Sequence, residues 1–331
     1  MRTMIRRRVI APVLAFGLTG LVAAQTPPHG KVYRVAHLSI SPYTTPGLAP
    51  LWTAFQEGMR ALGYIEGQNL LIETRFSEGR EDRHPALVAD LIRWQPDVIM
   101  AVGTAAALAA KAATSTIPIV MVGVYDPEKF GLIVGLRNPG GNITGVTNQL
   151  EDLWSKQYQL LRNFVPGLSR LAVLWNPDNP GSALSWEDAQ RRWAPTFGLE
   201  LVSVPIRSAA DLAPAFATIA EQRVGALEIH VALLQFRAAI LEFAAAHRLP
   251  AIAAHRAFVE SGALLSFAPS FTDVFRRSAA FVDKVLKGAK PADLPIEQPT
   301  KFELLINLRV ARSLGLTITP ELLVQADEVI E

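Results

Sequence analysis

Gly103 and Thr104 stand between an apolar run, Val98 to Val102, and an alanine-rich stretch, Ala105 to Ala113. The run is short enough for a strand buried on both faces, and alanine is the best helix former. Ser115 to Pro118 stops the helical stretch and a second apolar run, Ile119 to Val122, follows, so the segment reads as strand, helix, strand. Gly103-Thr104 then lies at the carboxyl end of a strand, where the first N–H groups of a helix point into the crevice that open α/β sheets use for ligands. Gly admits a close backbone approach and Thr104 supplies a hydroxyl. A carboxylate placed there gains about 0.3–1 kcal/mol from the helix dipole. The alternative is an N-cap that serves only its own helix.

Other side chains hold equivalent positions after apolar runs. Ser39, Ser41 and Tyr43 follow the first run; their hydroxyls suit a polar head group and the Tyr43 ring an apolar body. Tyr125 and Asp126 follow Ile119 to Val122, and an ionised Asp126 suits an ammonium, unless Asp126-Pro127 is simply a turn. In the second half Asn176, His230 and the pair His255-Arg256 follow similar runs. Arg256 either grips an anion bidentately or is a solvated surface arginine. Trp52, Trp94, Trp154 and Trp193 fall on apolar helix faces and are expected in the core.

The same alternation continues along the chain. Strands are expected at Tyr33 to Ser39, Leu70 to Arg75, Ile143 to Thr147, Arg170 to Trp175, Glu200 to Pro205, Ala226 to Val231, Pro250 to Ala254, Leu264 to Ser266 and Phe302 to Ile306. Helices fall between them, one at Ala183 to Phe197 with Pro195 at or beyond its end, one at Thr272 to Lys287 and a last one around Arg309 to Leu314. Strands alternating with helices imply α/β lobes with parallel sheets. About ten strands in roughly 300 residues exceed one comfortable domain. Two lobes meeting near Thr147 set the carboxyl ends of both sheets across a cleft.

Residues 1–24 differ from the rest. Four arginines precede the apolar stretch Val9 to Val22, and Val22-Ala23-Ala24 offers small residues for cleavage, the pattern of a secretory signal peptide. Without those four arginines, 28 of the 32 basic residues face 30 acidic ones, a net charge of about −2. No block of like charge gives nucleic acid a footprint. The chain has no cysteine, which excludes disulfides and a lipid anchor on an N-terminal Cys. A protein resident in a bacterial periplasm fits both features. The six histidines show no metal-site spacing, and there is no Gly-x-Ser-x-Gly elbow, phosphate loop or dinucleotide fingerprint. No catalytic residue, metal or cofactor is therefore assigned.

The block "GMRALGYIEGQNLLIETRFSEGREDRHPALVADLIRWQPDVIMAVGTAAALAAKAATSTIPIV" resembles the TrpX-like ABC transporter substrate-binding proteins. So do "NPGGNITGV", "VPGLSRLAVLWNPDNPGS", "FRRSAAFVDKVLKGAKPADLPIEQPTKFELLINLRVARSLGLTI" and "ADEVIE". The resemblance implies the periplasmic-binding-protein type I fold: two Rossmann-like lobes, three crossing segments and a ligand clamped between them. It assigns residues 31–146 with about 270–295 to lobe one, and 147–267 with about 296–331 to lobe two. It further implies a monomer that delivers a small organic solute, an amino acid (aromatic ones included) or another small carboxylate, to an inner-membrane ABC permease with its ATPase. A periplasmic sensor docking on a receptor is the alternative, and an enzyme on the same fold stands behind both. Relatives often carry a small residue where Tyr125 stands and Tyr-Gly where Phe267-Ala268 stands. Phe267, at that ligand-binding position, lacks a hydroxyl, so a relative's ligand is not transferred on these positions alone.

Overall fold

The computed structural model describes residues 30–148 and 153–331; the expected signal peptide lies outside them. The first sheet runs in the order β2 (Leu70–Phe76), β1 (Tyr33–Ser39), β3 (Val98–Val102), β4 (Ile119–Val124) and β5 (Ile143–Thr147), all parallel. Between its strands lie α1 (Ala49–Ala61), α2 (His84–Arg93) and α3 (Thr104–Ala113). Val98 and Met100 face one side of the sheet, Ile99 and Ala101 the other, and all four are fully buried. That two-sided burial is why the sequence shows a continuous apolar run rather than an alternating one.

After β5 the chain enters the second lobe with α4 (Leu153–Phe164), β6 (Arg170–Trp175), α5 (Pro180–Asp188), α6 (Ala194–Phe197) and β7 (Glu200–Pro205). There follow α7 (Leu212–Glu221), β8 (Ala226–Ile229), α8 (Arg237–Ala246), β9 (Ala251–Ala253), α9 (Arg256–Glu260) and β10 (Leu265–Pro269). The chain returns to the first lobe as α10 (Phe271–Leu286), then closes the second with β11 (Phe302–Asn307), α11 (Leu308–Leu314), α12 (Pro320–Gln325) and β12 (Glu328–Ile330). The second sheet is ordered β12-β11-β10-β9-β8-β6-β7, and β11 runs antiparallel to β10.

Helix α10 packs on α1 closely enough that a Cβ on Gly58 would lie 2.8 Å from the Ala279 Cβ. The segment leading to β11 lies against β5: Glu297 N donates to Gly145 O at 3.0 Å, and Thr147 N to Glu297 O at 3.0 Å.

Three features depart from the sequence expectations. Pro195 lies inside a continuous helical run, because a π turn over Ala189–Trp193 absorbs the missing N–H. The short helix α9 and strand β12 carry no apolar periodicity long enough to read. The helix expected from Ala183 begins earlier, at Pro180: the Asn179 side chain caps it by accepting from Ser182 N at 3.0 Å, and Pro180 takes a first-turn position where its missing N–H costs nothing.

Candidate functional site

The carboxyl ends of the two sheets face one cavity with two adjoining chambers of about 120 Å³ each. Ile40, Gly103, Gly123, Asn148 and Phe271 border both. The first is the more polar chamber of the two, with Thr104, Tyr125, Trp154, Ser182, Ser185 and His230 in its wall. The second is mostly apolar: Tyr43, Leu48, Leu51, Leu234 and Phe275 line it, with Ser39, Ser41, Gln235 and His255 as its polar members. Among the described residues neither chamber is lined by an Asp, Glu, Lys or Arg.

Two helix N-termini meet at the polar chamber. Gly103 precedes α3 with φ +86°, a backbone that costs any other residue strain, and the space where a Cβ would stand is open. The Thr104 hydroxyl does not cap its own helix. Its Oγ1 accepts from Tyr125 N at 3.2 Å, tying α3 to the loop after β4. Across the cleft Gly181, in the first turn of α5, packs against Thr104; a Cβ there would lie 2.7 Å from Thr104 Oγ1. The first-turn N–H groups of α3 thus face the capped start of α5 across the cleft.

Hydrogen bonds orient the buried histidines. Asn176 N donates to Ser182 Oγ at 3.1 Å, that hydroxyl lies 2.9 Å from His230 Nδ1, and Glu228 Oε1 stands 3.5 Å from the other ring nitrogen, which favours a proton on Nε2. Ala257 N donates to His255 Nδ1 at 3.1 Å, which again leaves the proton on Nε2. Burial, then the charges of Arg256 and Arg237, lower the His255 pKa to about 4. Beneath the apolar chamber His37 is fully buried, meets the Tyr43 hydroxyl at 2.9 Å, and has its pKa lowered to about 3 by burial. Tyr43 is therefore an anchored wall, stacked on Trp52 with centroids 5.0 Å apart, rather than a mobile cover.

Besides His230 Nε2, which faces Glu228 Oε1 at 3.5 Å, three cavity atoms among the described residues are buried without a hydrogen-bond partner: Asn148 Oδ1, Trp154 Nε1 and Ser185 Oγ. They offer one acceptor, one donor and one hydroxyl to whatever fills the polar chamber. The Tyr125 hydroxyl instead donates to Asp188 Oδ2 at 2.9 Å across the cleft. Burial and then the Asp188 charge hold its pKa well above the ordinary value, so it remains a donor.

Eight of the twelve residues singled out in the sequence border the cavity: Ser39, Ser41, Tyr43, Gly103, Thr104, Tyr125, His230 and His255. Four do not. Asp126 sits at φ +40° with its carboxylate accepting from Lys129 N at 3.2 Å and paired with Lys129 Nζ at 3.3 Å. Asn176 is buried and turns its Oδ1 to Asp178 N at 2.9 Å. Arg256 opens α9 and is held by Glu260 and Glu328, each at 2.9 Å, with Glu303 at 3.9 Å, so its charge is already matched. Phe267 points to the other face of β10, where it stacks on Phe302 at 5.8 Å.

Trp154, expected in the core, is buried and also walls the polar chamber. Sequence reasoning missed the start of α5, although Asn179-Pro180 is the signal for a capped helix and mirrors Gly103-Thr104 in the other lobe.

Three comparisons bear on this architecture. A tyrosine-binding protein of Clostridioides difficile is 24% identical over 276 residues, covering 82% of this chain and 78% of its own. The crystal structure of a conserved domain protein from Vibrio cholerae superposes with a TM-score of 0.84 at 26% identity, covering 90% of this chain and all of that one. A Streptococcus pneumoniae ABC domain in complex with L-Trp gives a TM-score of 0.83 at 24% identity, covering 91% of this chain and all of that one. Two α/β lobes with a cleft at the carboxyl ends of their sheets make the type I periplasmic-binding fold. The family model for ABC transporter substrate binding proteins matches residues 40–330, and the chain belongs to that family.

Proposed function

We propose that the protein is the periplasmic solute-binding component of an ABC importer and that it clamps a zwitterionic amino acid, an aromatic one first, between its lobes. The observation that carries this reading is the pairing of chambers. Unsatisfied Asn148 Oδ1, Trp154 Nε1 and Ser185 Oγ and two helix N-termini surround one; Tyr43, Leu48, Leu51 and Phe275 wall the other. An α-carboxylate and an α-ammonium are each costly to bury unpaired, so each needs hydrogen bonds here: the N–H groups that open α3 suit the carboxylate and Asn148 Oδ1 the ammonium. The ligands of the tyrosine-binding protein and of the L-Trp complex support an aromatic side chain. Contacts to the second lobe strengthen on closure, so ligand shifts the lobes toward the form a permease recognises.

A thermal-shift series on ligand-stripped protein tests this with L-Trp, L-Tyr, L-Phe, L-Leu, L-Glu and L-Lys. Ligand at 100 times its Kd adds about 2.7 kcal/mol of stability. Shifts with the aromatic members and none with L-Glu or L-Lys support the reading. A shift confined to L-Glu or L-Lys, or none at all, rejects it. Transport is separated from sensing by uptake in a strain lacking the gene: loss of uptake supports the importer, and unchanged uptake sinks it.

A further inference from the structure

Asp188 closes α5 of the second lobe just before the π turn, and it does not line the cavity. Its side chain is only 13% exposed. Three groups of the first lobe converge near it. The Tyr125 hydroxyl donates to Asp188 Oδ2 at 2.9 Å, and Lys129 Nζ lies 3.4 Å from both carboxylate oxygens. Asp126 holds Lys129 from the other side at 3.3 Å. The loop that presents this group carries Asp126 at φ +40°, a left-handed backbone uncommon for a non-glycine residue.

We propose that Asp188 is a positioning residue and, with Tyr125 and Lys129, forms a latch that holds the two lobes together independently of the solute. Every atom of the latch belongs to the chain. Tyr125 has a double role: its ring walls the polar chamber and its hydroxyl reaches the opposite lobe, so closing the latch also seats the ring over the bound head group. Lys129 keeps Asp126 as a partner when the lobes separate, so opening costs it one carboxylate rather than both. The unmatched group on opening is Asp188, which leaves a phenol and a cation for water. A charge-assisted hydrogen bond in a half-dry site is among the stronger pairwise contacts. The latch therefore belongs to the solute's residence time: it acts on dissociation, which requires opening, far more than on association.

The latch rests on the solute-binding reading only for its effect on affinity, and its effect on the lobes can be read without any solute. The chain has no cysteine, so one cysteine introduced at an exposed site of each lobe takes a donor and an acceptor dye cleanly. Tyr125→Phe, Asp188→Ala and the double variant are compared with the parent by energy transfer in ligand-free protein, and by stopped-flow with L-Trp as probe. Lower transfer in each single variant, with the double variant no lower than the worse single one, is the expected result. For L-Trp the expected change is about a tenfold faster dissociation with association within twofold. Lys129→Met should give a smaller change of the same sign.

A residue that merely stabilised α5 would lower the melting temperature of the ligand-free protein and leave energy transfer unchanged. That outcome, or additive effects in the double variant, overturns the latch. If L-Trp does not bind, the solute reading falls while the energy-transfer arms still decide the latch.

Discussion

Gly181→Ala puts a methyl group where the two lobes touch. The new Cβ would lie 2.7 Å from Thr104 Oγ1 and 3.2 Å from Thr104 Cβ, and 3.5 Å from Asn179 Oδ1, which is ordinary contact. Only the Thr104 contacts cross the cleft, so the clash exists when α5 and α3 are apposed and vanishes when they separate. Gly181 also lies in the first turn of a helix at an ordinary backbone angle, and there Ala is the better helix former by up to about 1 kcal/mol. The substitution should therefore leave the fold intact while opposing closure. Overpacking of this kind costs about 1–3 kcal/mol. Charged against closure, that weakens solute binding about 5- to 150-fold at 1.4 kcal/mol per tenfold. Calorimetric titration of L-Trp gives the affinity, and a ligand-free thermal melt checks the fold. Thr104→Ala in the same chain removes Oγ1 and should recover part of the loss beyond its own effect, giving a non-additive cycle. An affinity within twofold of the parent, with an unchanged melt, would refute close apposition of these helices in the bound form.

Acid should destabilise the protein through His37 and His255. Both stay neutral in the fold, with pKa values near 3 and 4, while the unfolded chain takes up protons below about 6.5. Stability is thus flat in these groups above pH 6.5 and falls as pH drops toward 4, by at most about 1.4 kcal/mol per pH unit for each histidine. Urea midpoints between pH 7 and 4.5 measure the slope, and His37→Phe should roughly halve it. Trp154→Phe keeps the ring and deletes the Nε1 donor; L-Trp affinity should fall about tenfold, as for a buried hydrogen bond, with the melting temperature nearly unchanged. Arg256→Gln should leave affinity within twofold, since its partners are Glu260, Glu303 and Glu328 rather than solute, and should cost stability of about 1 kcal/mol or less.

The parts legible in the sequence are those with local causes. Arg170–Trp175 and Ile143–Thr147 appear in the structure with the ends read from their apolar runs, because strands buried on both faces leave an uninterrupted pattern. Gly103 was legible because a strand-to-helix turn at φ +86° admits few other residues. What stayed hidden depends on distant residues. Nothing near Arg256 reveals that Glu303 and Glu328 will neutralise it, since both arrive with β11 and β12. Trp154 sits at a helical position that suits a core, and only its unpartnered indole nitrogen distinguishes it. Phe267 and its strand neighbours differ by the face of β10 they occupy, which a five-residue strand at a sheet interior does not betray.

Helix α10 begins at the cavity and ends far from it. Phe271 borders both chambers and packs its ring against His255 of the second lobe, centroids 5.2 Å apart, while the body of the helix is keyed to α1 at Gly58 and Ala279. Sixteen residues at 1.5 Å each make a rod about 24 Å long. With its fulcrum near Ser270, whose N–H is tied to Lys301 O at 2.9 Å, a turn of about 10° sweeps the Leu286 end through about 4 Å. Any rotation of the first lobe about that point moves the Leu286 end several times farther than the Phe271 ring, in proportion to their distances from Ser270.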